Sequence, residues 1–343
     1  MRSKTTVLRA CCTMAWVALE LTAQRSDTQT LAADQIREGQ RLQQEGRLNE
    51  AKQLLTRALR EAENHDHESV QVAVISDNLA SVYEDLGRYF EAEGLYAHSV
   101  SILENATGVD AEVSITARSH LASIYLEMGQ LSKAEGLVRR DLEIEERRLG
   151  PDHISVADLR ERLGTVYGLQ RRYADAESIF RNALEIFQRH LASNDPRIAM
   201  ALTNLACVLA AAGQHAEAIS FAEQSWRILN VRSDANPVTV IKTLTTLGVL
   251  SSITGCSPSA ASYLEKALQQ AESSYGPNHP LVAYVLGSFA ASMRRCRSGN
   301  TARPMEARAK SILSQSARDN NLGYSVDIQT LLPSRATGGH DRR

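Results

Sequence analysis

Histidine and carboxylate side chains lie next to one another at His65-Asp66-His67-Glu68, the residues of this sequence best suited to metal binding or acid–base chemistry. A metal site needs further ligands at a matching spacing, and the surrounding sequence offers no second ligand pair. The chain also contains no glycine-rich phosphate loop, no nucleophile elbow and no HExxH string. We therefore expect a solvated polar loop here, and a protein without catalytic residues, a bound metal or a cofactor.

The sequence around this loop repeats every 42 residues. Each copy carries a leucine and a small residue, then an aromatic residue, a turn residue and an alanine–glutamate pair. The clearest copies begin at Leu79-Ala80, Leu121-Ala122 and Leu163-Gly164, and the alanine continues in register at Ala218, Ala260 and Ala302. A repeat of this length is one supersecondary unit that cannot bury its apolar face alone. The sequence therefore predicts a stack of such units.

Each unit is predicted to be a hairpin of two helices. In the second unit, Val72, Ile75 and Leu79 are spaced three and four residues apart, which places them on one stripe of a helix. Gly87 then ends this helix, because glycine tolerates the left-handed conformation that closes a helix. Glycines at equivalent turns are Gly46, Gly129, Gly213 and Gly255, whereas the fourth unit has Arg171. Prolines at the corners between units end one hairpin and start the next.

The predicted units fill one elongated domain, residues 24–318, because a stack grows in one direction without a domain boundary. Their bounds lie near 31–65, 66–108, 109–150, 151–192, 193–234, 235–276 and 277–318. Only five phenylalanines and two tryptophans are present, which is typical of a core made by closely apposed helices. No strand pattern competes with this interpretation inside the repeats.

Several strings of the sequence resemble a known repeat family. LASVYEDLGRYFEAEGLYAHSV, GTVYGLQRRYADAESIFRNALEI and the corners GPDHISVA and GPNHPLVA are similar to tetratricopeptide repeats of the 42-residue kind found in kinesin light chains. The resemblance implies an all-α fold, a right-handed α-solenoid of about seven hairpins whose first helices line a concave groove. It also implies a non-catalytic scaffold for protein–protein interaction that binds a peptide or protein segment in this groove. An intracellular regulatory or sensor protein that holds a signalling partner is the alternative.

Candidate partner-binding residues follow from the helical register. With Leu79, Ala80 and Tyr83 facing the core, the opposite side of each first helix is expected to line the groove. The candidates are Asp77, Asn78, Glu84, Ser119, His120, Glu127, Asp158, Glu161, Arg162, Thr203, Asn204, Lys242, Thr245, Thr246, Ser288, Arg294 and Arg295.

Charge changes along these candidates. Carboxylates dominate units two to four, unit five is neutral and the last two units are basic. This gradient predicts a partner segment with basic residues towards units two to four and acidic or C-terminal groups towards Lys242, Arg294 and Arg295. The alternative is that the charges only keep an exposed face soluble. The net charge of −2 argues against nucleic acid or an anionic membrane surface as a partner.

Two terminal segments lie outside the repeats. Residues 1–23 begin with three basic residues, continue with the apolar stretch Ala10–Leu19 and reach a small residue at Ala23, which is typical of a secretory signal peptide. The apolar stretch is too short to span a bilayer, which needs roughly 20 residues. We therefore expect export to the periplasm or the medium, with a cytoplasmic protein carrying an N-terminal extension as the alternative. Residues 319–343 are expected to form a flexible tail, or, because apolar and polar residues alternate over Tyr324–Ile328, a strand-like segment that docks on the repeats.

Three cysteines remain after removal of the predicted signal peptide, namely Cys207, Cys256 and Cys296. An odd number of cysteines cannot all pair with one another. Cys256 and Cys296 lie at turns of adjacent units, so they either form a disulfide or stay as two thiols. The sequence gives no indication of the oligomeric state.

Overall fold

The computed structural model describes residues 27–232, 234–255, 258–296 and 299–319. Within these ranges the chain forms fourteen helices and no strand. In chain order the helices are α1 Asp27–Gln44, α2 Leu48–Glu63, α3 Val70–Asp85, α4 Tyr89–Thr107, α5 Glu112–Glu127, α6 Leu131–Leu149, α7 Ile154–Leu169, α8 Tyr173–His190, α9 Pro196–Ala211, α10 His215–Leu229, α11 Pro237–Thr254, α12 Pro258–Tyr275, α13 Pro280–Arg295 and α14 Gly299–Asp319. The predicted signal peptide and residues 320–343 of the predicted tail lie outside the described residues.

Within each half of the chain, helices pair into the hairpins that the repeat predicts. The described residues form two compact halves, which divide between Arg172 and Tyr173. In the N-terminal half α1 packs against α2, α3 against α4 and α5 against α6, and in the C-terminal half the pairs are α9–α10, α11–α12 and α13–α14.

First helices also contact one another: α1 touches α3, and α11 touches both α9 and α13. A first helix such as α11 is therefore covered on both flanks.

One small residue in each first helix lets its hairpin close. Ala80, Ala206 and Gly248 occupy the same register position in different repeats, and all three are buried. A Cβ atom added at Gly248 would lie only 2.5 Å from Leu264 Cγ. Ala206 shares its core cluster with Ala222, the residue that stands in α10 where Leu264 stands in α12. The two sides of each hairpin therefore compensate in volume, as close packing requires.

Polar side chains cap the first helices at the corners between repeats. Asp195, Asn236 and His279 each accept a hydrogen bond from the backbone N–H two residues further on, at 2.9, 2.9 and 3.1 Å. Each is followed by a proline in the first turn of the helix, where the missing N–H costs nothing. The corner prolines seen in the sequence therefore begin helices.

A buried arginine of α5 fixes the corner that precedes this helix. The Arg118 side chain is fully buried, and its Nε donates to Asp141 Oδ1 at 2.5 Å. Its Nη1 donates to Glu104 Oε1 at 2.6 Å and its Nη2 to the Val109 carbonyl at 2.8 Å. Burial raises the pKa of Asp141 to about 6, although the Arg118 charge opposes this shift. The guanidinium thus has an acceptor for each of its nitrogens, the arrangement in which a buried cation is tolerated.

Arg160 makes the same corner contact one repeat later. Its Nη2 donates to Glu146 Oε1 at 2.6 Å and its Nη1 to the Pro151 carbonyl at 2.9 Å. Glu146 and Pro151 follow Glu104 and Val109 by the 42-residue period. The recurrence of an arginine and a glutamate at this spacing is visible in the sequence, although the groove-based prediction did not use it.

Cys296, at the C-terminal end of α13, is disulfide-bonded, whereas Cys207 is a free thiol. Cys256 lies outside the described residues, so its pairing with Cys296 stays a prediction.

Glycine closes most of the hairpin turns, as the sequence predicts. The φ angle lies between 69° and 83° at Gly46, Gly87, Gly129 and Gly213. Gly255 differs, because its φ of 168° is extended backbone. At the fourth turn, Arg171 adopts a φ of 62°, a left-handed conformation that costs a side-chain-bearing residue about 1–2 kcal/mol.

We expect Arg171→Gly to raise the free energy of unfolding by roughly 0.5–1 kcal/mol, because glycine relieves this strain and loses part of the gain to unfolded-chain entropy. Gly129→Ala is the matched reverse change, since its φ is 69° and a Cβ there meets no atom within 4 Å. It should cost about 1 kcal/mol through backbone conformation alone. Urea unfolding followed by circular dichroism measures both. A loss of stability in Arg171→Gly would contradict the strain at this turn.

Candidate partner-binding face

The residues predicted to line the groove lie on one side of the first helices, which we call the first-helix face. They differ in exposure: Asp77, Asn78, Ser119, Glu161, Thr203, Thr245, Thr246 and Ser288 are buried, Glu84, His120, Asp158, Arg162, Asn204 and Lys242 are half-buried, and Glu127, Arg294 and Arg295 are exposed. Neighbouring helices cover the flanks of this face, so the buried side chains are enclosed and do not project into an open groove. The binding of a partner by these residues stays a prediction.

Two glutamines of α1 bond to the face of α3. Gln40 Nε2 donates to Asn78 Oδ1 at 2.8 Å, and Gln43 Nε2 donates to Ser81 Oγ at 3.0 Å. Gln43 Nε2 also reaches Asp85 Oδ2 at 2.5 Å. Asn78 is therefore engaged by the neighbouring helix, a role that the register of one helix alone does not reveal.

His120 of α5 and Asp77 of α3 form a charged contact between neighbouring first helices. The His120 Nδ1 atom lies 3.0 and 3.1 Å from the two carboxylate oxygens of Asp77. The Tyr96 ring packs beside the imidazole, with 5.6 Å between centroids. Burial lowers the pKa of His120, but Asp77, assisted by Glu84, outweighs burial and the opposing Arg162 charge, so the pKa lies above its ordinary value. Protonated imidazole is thus favoured on this face.

Arg162 of α7 points back towards α5. Its Nη1 donates to Ser123 Oγ at 3.2 Å and lies 3.5 Å from the Ser119 carbonyl oxygen. Burial lowers the pKa of Arg162, while the charges of Asp158 and Asp141 oppose this shift. A guanidinium presents five N–H donors, so these contacts use only part of its capacity.

An acidic rim lies at the C-terminal ends of α3 and α5. It consists of Glu84, Asp85 and Glu127, of which the last two are exposed. Burial raises the pKa of Tyr89, and these three carboxylates raise it further. Tyr96 donates its hydroxyl hydrogen to Glu84 Oε2 at 3.1 Å. The rim thus places three carboxylates near the Tyr89 hydroxyl.

The C-terminal half presents a different chemistry, because α9, α11 and α13 contain no aspartate or glutamate. Hydroxyl groups replace charges at buried positions. Thr203 Oγ1 lies 2.7 Å from Thr243 Oγ1 and 2.8 Å from Ser225 Oγ, and Ser225 donates to the Ala199 carbonyl at 2.8 Å. These hydroxyls satisfy one another within the core, so we assign them a structural role.

Lys242 is the half-buried cation of this second face. On the same helix, the Oγ1 atom of Thr246 lies 3.2 Å from the Sγ atom of Cys207. Burial raises the pKa of the Cys207 thiol, against the smaller effects of Thr246 and Lys242, and burial also raises the pKa of Tyr284. The thiol is therefore protonated and unsuited to nucleophilic attack. Arg294, further along the face, forms an ion pair with Glu306 of α14.

The His65-Asp66-His67-Glu68 segment forms the corner between α2 and α3. Asp66 Oδ1 accepts a hydrogen bond from the Glu68 N–H at 3.1 Å, and Ser69 Oγ donates to the Asp66 carbonyl at 3.0 Å. Over the part of the chain that the structure describes, no group of three His, Cys, Asp or Glu side chains is arranged to hold a metal ion. The segment is therefore explained as a helix corner.

Within the described ranges, α11 is the one helix long and apolar enough to cross a membrane, and more than half of its residues are buried inside the structure. Its first-helix neighbours α9 and α13 lie on either side. We therefore interpret α11 as a core helix of the stack.

Comparison with known sequences identifies the repeat. A family model described as a tetratricopeptide repeat matches residues 71–146, 112–188 and 155–230. Residues 71–230 therefore consist of tetratricopeptide repeats, and the predicted fold class, all-α and built from helical hairpins of this kind, is confirmed. No curated protein sequence matches the chain.

Solved structures share the fold. BtubC (BKLC) from P. vanneervenii has a TM-score of 0.54 at 22% identity, covering 67% of this chain and 92% of that one. The Rap conjugation gene regulator of plasmid pLS20, solved in complex with the Phr* peptide, has a TM-score of 0.63 at 14% identity and covers 93% and 89%. The apo quorum sensor NprR from B. thuringiensis has a TM-score of 0.61 at 13% identity and covers 91% and 83%. Identities this low establish a common fold and nothing more.

The contact between His120 and Asp77 predicts a pH-dependent stability. The folded pKa of His120 is raised, so its contribution is complete below the unfolded value of about 6.5 and is lost as pH rises through the folded pKa. His120→Gln should remove this part of the pH profile of Tm between pH 5.5 and 8.5. His98→Gln, on the second helix α4, is the matched control and should leave the profile unchanged. A His120→Gln profile parallel to that of the unmodified protein would contradict the assignment.

Proposed function

We propose that this protein is a non-catalytic scaffold that binds an extended peptide or protein segment on the first-helix face. The proposal rests on the different positions of apolar and charged residues in the repeats. Apolar residues and buried hydroxyls hold the hairpins together, while charged side chains such as Glu84, His120, Arg162 and Lys242 remain partly accessible on one face. Charged side chains on a partly desolvated surface add little to the packing of the hairpins, but they can recognise complementary charges on a polar chain.

One structure of the same fold, a Rap regulator solved in complex with the Phr* peptide, supports a peptide ligand. Another structure of this fold is the quorum sensor NprR. They favour a second candidate as well, a regulatory or sensor protein whose bound segment carries a signal. The two candidates use the same face and differ in compartment and in the identity of the partner.

The proposal assigns no catalytic residue and no cofactor. It also assigns no nucleic acid partner and no membrane-spanning role, because the chain is slightly acidic and more than half of α11, the one described helix apolar enough to cross a membrane, is buried.

Export belongs to the scaffold candidate and rests on the sequence of residues 1–23. Mass spectrometry of the purified mature protein measures the N-terminus. The exported scaffold predicts a chain that begins near Gln24 or Arg25, whereas an intact Met1 would favour the intracellular sensor.

Affinity capture with the full-length chain tests the binding face. The variant Asp85→Lys plus Glu127→Lys reverses two exposed charges on the first-helix face and should weaken retention of the captured partner about tenfold, through altered charge complementarity. The matched control, Glu143→Lys plus Glu223→Lys, reverses two exposed charges on second helices and should leave retention unchanged. Buried Asp77 and Glu161 are unsuitable for this test, because a lysine there would disrupt the fold. Equal loss in both variants, or loss in the control alone, would contradict the proposal.

A further inference from the structure

Arg162 differs in its contacts from other arginines of the chain. Arg118 contacts two carboxylates, Arg139 contacts Glu135, and Arg181 bridges two glutamates. Among the described residues, the contacts of the Arg162 guanidinium are the Ser123 hydroxyl at 3.2 Å and the Ser119 carbonyl at 3.5 Å, and no carboxylate is within ion-pair distance. A permanent positive charge on the first-helix face therefore lacks a direct counter-charge.

Because Arg162 is half-buried, the absence of a direct counter-charge raises the free energy of its charged form. The side chain is half-buried against α5, and burial lowers its pKa, which shows that desolvation disfavours the cation. Asp158 and Asp141 attract the charge without contacting it closely enough for an ion pair. A desolvated guanidinium with unused N–H donors is a ready site for a planar, bidentate acceptor.

We propose that Arg162 binds a carboxylate of the partner segment, so that the segment is acidic where it crosses α5 and α7. This inference rests on the proposed function and reverses part of the sequence-based expectation, which placed basic partner residues along the carboxylates of units two to four. Asp77 and Glu161 belong to those carboxylates, yet both are enclosed in the fold, and Asp77 is engaged by His120. At the centre of this half the half-buried charged groups are Arg162, His120 and Asp158, so cations outnumber carboxylates there, while the acidic rim lies at the helix ends.

The chemistry of the occupant follows from the neighbours of Arg162. Ser123 Oγ lies beside Nη1 and donates to the Ser119 carbonyl at 3.0 Å, so it leaves the remaining nitrogens of the guanidinium to the ligand. His120, one repeat earlier at the same register position, adds positive charge when it is protonated. Arg162 and protonated His120 favour a carboxylate, which can be an aspartate or glutamate side chain or the C-terminus of the segment.

An array of random twelve-residue peptides, each made with a free and with an amidated C-terminus, tests the assignment on the full-length protein. We expect retained peptides to be enriched in Asp and Glu, and Arg162→Gln to lower their affinity about tenfold or more. Arg139→Gln is the matched control, because it makes the same change on the second helix α6, and it should leave the enrichment unchanged. If amidation abolishes binding, the ligand group is the C-terminal carboxylate. If the amidated peptides still bind, it is an Asp or Glu side chain.

Other outcomes of the array overturn the inference in distinguishable ways. Enrichment in Lys and Arg, or an acidic preference that survives Arg162→Gln, would overturn the role of Arg162 and leave the proposed function standing. Retention of no peptide at all would overturn both.

Thermal unfolding without any ligand gives a second, independent test. If Arg162 is kept for binding, Arg162→Met should raise Tm by about 2 °C or more, because it replaces an uncompensated charge with an apolar chain of similar length. Arg118→Met is the comparison, and it should lower Tm, since it strands two carboxylates. A fall in Tm for Arg162→Met as large as that for Arg118→Met would show that the fold already compensates this charge, and would overturn the inference.

Discussion

The close approach of two helices at one small residue per repeat is the contact on which the structure depends. A hairpin of this kind cannot bury its apolar stripe alone, so it is stable only when its first helix is flanked by others. Gly248 against Leu264 shows how little room the contact leaves. Because first helices pack side by side, only a narrow strip of each remains accessible. In the proposed function, the partner contacts this strip.

The charged residues of the first helices have different roles. Arg118 and Arg160 hold corners between repeats, and Asp77 holds His120, so each of these groups is satisfied inside the fold. Arg162 and Lys242 are half-buried on the first-helix face, and in the proposed function they are the charges available to a ligand. The N-terminal half combines a cation with an acidic rim, whereas the first helices of the C-terminal half carry no acidic residue. The first-helix faces of the two halves are therefore chemically distinct.

The sequence predicts much of the fold because the repeat period encodes it. The spacing of Leu79, Tyr83 and Gly87 predicts the first helix and its turn, and the corner prolines predict where helices begin. Helical register also predicts which candidate residues share one side of a first helix. It does not show how far neighbouring helices cover that side, which is why Asp77 was expected in an open groove and is enclosed. The clamp around Arg118 depends on three separate segments and was missed for the same reason.

Hydrogen exchange measures most directly whether ligand recognition is confined to the first helices. After addition of the captured partner, amide exchange should slow in α3, α5, α7 and α11, around His120, Arg162 and Lys242. The second helices α4, α6 and α12 should keep their exchange rates, because their solvent-facing sides take no part in the proposed contact. Protection confined to the second helices, with the first helices unchanged, would contradict the account.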